Sequence, residues 1–262
     1  MTRHNQKGMV QTVLGTIKPS EVGSTMSHEH LLIDFSFMFI PPNEEIDKKI
    51  AYQPVNIKNL GWIRQFRYSN LDNLHISDEQ EAVEEMMLYK KQGGGTIIDA
   101  TTIGIGRDPF ALERISKSSG VNVVMGAGYY VNATHPADIN VLTEEELSDQ
   151  ITREITTGVG NSGIKAGIIG EIGCTWPLTP NEKKILRDLI YTATEIVTNS
   201  YNESDSVEEI LDLAEKSIFQ ISEKRTRRSF FSLNEVVKEN FRSIDKLVNQ
   251  PGMVTGVPTG FA

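Results

Sequence analysis

From Ser77 to about residue 190, helix signals alternate with short apolar runs, and that alternation restricts the folds open to this chain. Ser77-Asp78-Glu79-Gln80 has the form of a capping box. It opens a helix whose apolar positions include Ala82, Val83, Met86, Met87 and Tyr89. Gly93-Gly94-Gly95 ends it, and Thr96–Thr101 reads as a buried strand. Asp108, ahead of Pro109, is placed to cap a second helix that Gly120 closes. Val121–Met125 is the next strand, and Thr143-Glu144-Glu145-Glu146 caps a helix running to Gly158. Ile164–Ile169 is a further strand, and Thr179-Pro180-Asn181-Glu182 starts a helix with Pro at its favoured first position. Upstream, Met9–Ile17 reads as a strand or hairpin turning at Lys18-Pro19-Ser20, and His28-Glu29-His30 runs straight into Leu31-Leu32-Ile33. Strands and helices in this order build βαβ units on a parallel sheet. Counted from the His28 strand there are roughly four units, an α/β arrangement equal to the N-terminal half of a (β/α)8 barrel.

Beyond Cys174 the sequence predicts no further buried strand. Ser206–Lys224 and Ser232–Asn249 each open with Ser-x-x-Glu and carry an apolar face, joined by Lys224-Arg225-Thr226-Arg227-Arg228. The expected division is an α/β part over 1–187, a helical hairpin over 188–250 and a flexible segment over 251–262. Cys174 is the one cysteine, which excludes a disulfide framework and a Cys-based zinc cluster. A net charge of −9 argues against a general nucleic-acid binder. No apolar run approaches the ~18 residues of a membrane span, and the first residues lack the apolar core of a signal peptide. The expected compartment is the cytoplasm, and the expected partner a small-molecule substrate, with self-association through the helical tail a further expectation.

The chemistry concentrates at two places. On a strand, residues i and i+2 share a face, so His28 and His30 project together and can share a metal ion. The plain alternative is a pair of surface or core-edge histidines. Glu171 follows an apolar strand between Gly170 and Gly173, at the end of a parallel sheet where ligands bind. It suits a metal-bridging carboxylate, and equally a helix cap or the partner of an arginine. Asp99 lies inside a buried strand, as a support for the site or a backbone-bonded carboxylate. Tyr130, after the Val121 strand, is a candidate for the substrate pocket. His4, His75 and His135 have no ligand spacing, and no catalytic residue is singled out.

The stretches VQTVLG, Met26-Ser27-His28-Glu29-His30-Leu31, QGGGTIIDATTIGIGRD, GVNVVMGAGYYV, ATHP and GIIGEIGCTWPLTPNEKKIL resemble the phosphotriesterase-related proteins of the amidohydrolase superfamily. Glu171, in GEIGC, is similar to the animal-type branch, where it stands in place of a carboxylated lysine. The resemblance implies a (β/α)8 barrel with a two-metal site, usually zinc. His28 and His30 would bind one ion, Glu171 would bridge both, and metal-activated water would attack an ester or N-acyl amide. It also implies two further histidines and an aspartate after later strands, for which this sequence has no counterpart. From about residue 186, ILRDLIYTATEIV, SYNESDSVEEILDLAEKSIFQISEK, FFSLNEVVKENFRSIDKL and GMVTGVPTGFA are similar to replicative DNA helicases of the DnaB type, without the phosphate-binding loop. The expectation is a truncated zinc hydrolase of weak or no activity. The alternatives are a helical assembly module or a chimeric fragment.

Overall fold

The computed structural model describes residues 8–201 and 230–232. A short antiparallel hairpin, β1 (Val10–Thr12) and β2 (Gly15–Ile17), comes first. β3 (Ser24–Glu29) follows, then β4 (Ile33–Asp34), and an excursion carries α1 (Glu45–Ala51) and α2 (Leu60–Gln65) before returning at β5 (His75–Ile76), which pairs with β4. The regular part is α3 (Glu79–Lys91), β6 (Gly94–Asp99), α4 (Pro109–Ser119), β7 (Asn122–Ala127), α5 (Glu144–Thr156) and β8 (Ile168–Ile169). It ends with β9 (Gly173–Thr175), α6 (Pro180–Tyr201) and β10 (Phe230–Ser232). β3, β6, β7 and β8 form one parallel sheet in that order, with Met26 opposite Ile97, Ile97 opposite Val123 and Gly126 opposite Ile168. Sequential order with helical crossovers is the half-barrel arrangement that the alternation predicts.

Local chemistry sets most of the boundaries. Asp108 caps α4 by accepting Ala111 N–H, and Gly120 closes it at φ 66°, a left-handed conformation that costs glycine least. Thr143 and Glu146 form the reciprocal box that opens α5. Two boundaries differ from expectation. Asp78 rather than Ser77 caps α3, because its carboxylate accepts two amides, Gln80 N–H and Glu81 N–H. The Ile164–Ile169 strand shrinks to Ile168–Ile169, because Ala166 N–H goes to the Glu154 carbonyl on α5 and Val159 N–H to the Ile164 carbonyl.

β7 is central and buried from Val123 to Ala127, whereas β3, with one neighbour, is mostly exposed. Ala111, Leu112 and Ile115 of α4, Leu147 and Ile151 of α5, and Ile185, Leu186 and Leu189 of α6 pack into one core with β7. Each such buried aliphatic side chain larger than alanine contributes about 1.5–3 kcal/mol. α6 runs unbroken through residue 187, where the first part was expected to end. Phe230–Ser232 pairs antiparallel with β9, at the point where Ser232 was expected to open a helix. The remainder of the expected hairpin over 202–250 and the segment 251–262 lie outside the described residues. No helix of the described residues is long and apolar enough to cross a membrane.

Where α5 meets α6, Ser148 and Thr192 share a hydrogen bond of 2.8 Å. Beside them Asp188 is buried, and neither of its carboxylate oxygens has a partner at normal hydrogen-bond geometry. Burial, and then the nearby charge of Glu144, push its pKa up to about 7; the polar Ser148 hydroxyl nearby, engaged with Thr192, offsets only part of this. The folded state therefore holds a proton that the unfolded chain releases near pH 4. Stability should fall as pH rises from about 4 to 7 and level off above. Asp188→Asn should flatten that profile and gain about 2 kcal/mol at pH 8, allowing for partial solvation at this helix junction. Urea unfolding at pH 5 and pH 8 checks it; equal pH dependence in wild type and variant would count against this account.

Candidate metal centre

The C-terminal ends of the parallel strands bring three of the expected residues together. His28 is on the last turn of β3's pleat, and His30 lies one residue past its end. Their rings are edge-to-face with centroids 5.4 Å apart. Glu171 follows β8, held by its own N–H to the Ala100 carbonyl and by the Thr102 hydroxyl donating to its carbonyl at 3.3 Å. His28 Nε2 is 2.9 Å from Glu171 Oε2, and His30 Nε2 is 3.7 Å from Glu171 Oε1. One ligand atom from each of the three lies within 4.8 Å of the others.

Burial shapes the charges. It lowers the pKa of His30 to about 4, helped by repulsion from His28, so His30 is neutral near pH 7. It raises that of Glu171, against which the charge and hydrogen bond of His28 act. A neutral imidazole and a carboxylate beside a second imidazole are borderline donors of the kind zinc and similar divalent ions take. Two nitrogens and one carboxylate with an open side match the three-donor set of a catalytic zinc site, so the residues fit one such ion. Among the described residues this is the one His/Cys/Asp/Glu group that meets the spacing.

Asp99 is fully buried beneath the site and combines both expected roles. Oδ2 accepts Leu31 N–H at 2.8 Å and Oδ1 accepts Thr101 N–H at 3.0 Å, stapling the His-x-His segment to the end of β6. Burial nonetheless raises its pKa to about 6. Tyr130 is placed beside the group: its ring packs on Gly173, where any Cβ would collide with it. Burial, with the Glu171 charge as the next cause, holds its hydroxyl protonated, with a pKa raised to about 12. Phe35 and Phe37, which the sequence did not single out, complete an aromatic wall with Tyr130; the centroids are 5.0, 5.5 and 6.2 Å apart. Two further supports were missed. Thr101 meets His30, and its signal is a threonine pair directly after a buried strand. Glu182 was read only as part of a helix start, yet it is buried and accepts hydrogen bonds from the segments on either side of the site. His135 instead bonds the Tyr130 carbonyl through Nε2, His75 lies on β5, and Asp108 is a helix cap. His4 lies outside the described residues.

Comparison with known proteins places this geometry in context. The chain is 42% identical over 190 residues to the N-acetyltaurine hydrolase of Homo sapiens, which covers 72% of this chain and 54% of that protein. It is 37% identical over 241 residues to a phosphotriesterase-related protein of Nematostella vectensis, covering 88% of this chain and 69% of the relative. That likeness runs past residue 200, into the stretch expected to be helicase-like, and none of these comparisons supports a helicase segment there. The chain spans about half the length of most of the curated relatives it matches. Among solved structures, a resiniferatoxin-binding protein from Rhodobacter sphaeroides superposes with a TM-score of 0.72 and 33% identity, over 81% of this chain and 61% of that one. An organophosphorus hydrolase from Deinococcus radiodurans shares the fold at a TM-score of 0.53 and 21% identity, over 72% and 50% of the two chains. The Phosphotriesterase family profile matches residues 8–200, and with its His-x-His strand and its glutamate after β8 the chain belongs to that family.

Proposed function

We propose that this chain is a metal-dependent hydrolase of ester or N-acyl amide bonds, with its ion held by His28, His30 and Glu171. The observation that carries the reading is the convergence of those three side chains, 143 residues apart at the extreme, within 4.8 Å at the C-terminal end of a parallel sheet. A divalent cation, zinc by the donor set, would supply Lewis acidity toward a carbonyl and toward water. The protein's own part is positional. Asp99 and Thr101 hold the histidine segment, and the Ala100 carbonyl holds Glu171. Tyr130 offers a hydroxyl donor toward a substrate oxygen, and Phe35 and Phe37 shield that side from water. The names of the animal relatives point to N-acetyltaurine as the first N-acyl amide to test. These three donors suffice for one ion but not for the two-metal site that the family resemblance implies, so turnover by this chain is expected to be weak.

The test is zinc binding by competition with a chromophoric chelator, run beside hydrolysis of N-acetyltaurine, a lactone and an aryl ester. One ion per chain is expected. His30→Ala and Glu171→Ala should each weaken binding by more than ~100-fold, beyond what loss of a supporting residue costs. Wild-type protein that binds zinc no better than the His30→Ala/Glu171→Ala double variant would overturn the assignment.

A further inference from the structure

We propose that Thr101 is a positioning residue that fixes the tautomer of His30, so that the Nε2 lone pair is the atom His30 offers toward Glu171 and a cation. The inference rests on the metal-site reading for its consequence, and on hydrogen bonding alone for its cause. Thr101 is buried two residues past the end of β6. A threonine hydroxyl has one proton to give and lone pairs to accept with. Two groups lie in reach: the Leu32 carbonyl at 3.1 Å and His30 Nδ1 at 3.0 Å. A carbonyl can only accept, so the hydroxyl proton goes to Leu32. The hydroxyl is then left to accept from the imidazole, which places the ring proton on Nδ1. At the far side of the ring, Nε2 is 3.7 Å from the nearer Glu171 oxygen, beyond a normal hydrogen bond. That end therefore offers no comparable hydrogen bond to an Nε2 proton.

Thr101 is itself held in register. Its N–H donates to Asp99 Oδ1, while Asp99 Oδ2 accepts Leu31 N–H from the residue after His30. One buried carboxylate thus ties together the strand end that carries the hydroxyl and the segment that carries the ring. A hydroxyl in this place does what a second partner of a metal-bound histidine does in general: it orients the ring and sets which nitrogen is free.

The experiment uses the full chain as wild type, Thr101→Val, which keeps the shape without the hydroxyl, and Thr101→Ser, which keeps the hydroxyl. Long-range ¹H–¹⁵N spectra of the metal-free protein report which His30 nitrogen carries the proton. Wild type and Thr101→Ser should show Nδ1–H, and Thr101→Val should move toward Nε2–H. Zinc competition should show Thr101→Val weakened by about 10–100-fold, with Thr101→Ser close to wild type. An Nε2–H tautomer in wild type overturns the proposal, and so does an unchanged tautomer in a folded Thr101→Val. If Thr101→Val does not fold, wild type and Thr101→Ser decide by their spectra. If wild type binds no zinc, the reading of the triad as a metal site fails, while the tautomer spectra still decide the role of Thr101.

Discussion

Glu154→Ala should lose about 3–5 kcal/mol of folding stability, the usual result of breaking a buried ion pair from one side. For a chain of this size that is a fall of roughly 10 °C in Tm. Arg107, in the loop between β6 and α4, reaches under the sheet to α5. Its Nη1 donates to Glu154 Oε2 at 2.7 Å and to the Gly126 carbonyl at 2.9 Å, and Nη2 donates to Glu154 Oε1 at 2.9 Å. The two side chains are 5% and 6% exposed, so water cannot replace the lost partner. Alanine would leave a desolvated guanidinium with the Gly126 carbonyl as its remaining hydrogen-bond acceptor and only the more distant charge of Asp99 to offset it. The cost lies in the unpaired charge rather than in the pair, so Arg107→Met with Glu154→Leu should lose less than Glu154→Ala alone. Urea denaturation of the three variants measures both effects. A Glu154→Ala protein within 1 kcal/mol of wild type would contradict this account of the pair.

Glu182→Ala should cost about 3 kcal/mol and should loosen the site as well. Its carboxylate is buried and accepts four hydrogen bonds: Oε1 from Asn132 N–H at 3.1 Å and Thr175 N–H at 2.8 Å, Oε2 from the Thr175 hydroxyl at 2.7 Å and Thr179 N–H at 2.8 Å. Truncation orphans all four donors at once. Glu182→Gln keeps the volume but turns an amide donor toward groups that are themselves donors, so it should recover only part of the loss. Asn132 stands two residues from Tyr130, and Thr175 four from Glu171. The amides of those segments should therefore exchange with solvent faster in Glu182→Ala than in wild type, measured under conditions where both remain folded. Unchanged exchange there would confine Glu182 to capping α6.

What the sequence made legible was local or periodic. Asp108, Gly120, Thr143 and Glu146 act on amides within one helical turn, and the residue types alone specify those caps. The His28/His30 pair follows from the period of a strand, and Glu171 from its place after an apolar run. What stayed hidden depends on chain segments far apart. Ile164–Ile169 has a strand's composition, but a hydrogen bond from Ala166 to α5 takes its first half out of the sheet. Thr101 looks like any threonine until β3 and β6 bring His30 to its hydroxyl. Arg107 and Glu154 are 47 residues apart, and nothing in either neighbourhood marks them as partners. Phe35 and Phe37 fall in a stretch without a clear period, and only the fold turns them toward Tyr130.

The donors of the candidate centre come from the two outermost strands of the parallel sheet, β3 and β8. Strands lie about 4.8 Å apart, so a flat sheet of this order would hold those two strands roughly 14 Å from each other. His28 and Glu171 nevertheless touch at 2.9 Å. Their contact is a chord drawn across an arc, and it can exist only while the sheet keeps its bend. Anything that flattens the arc pulls the donors apart together, and anything that grips all three resists flattening. Curvature and the spacing of these three donors are thus a single mechanical variable in this molecule, and a cation bound as proposed would serve as a clasp on the shape of the sheet.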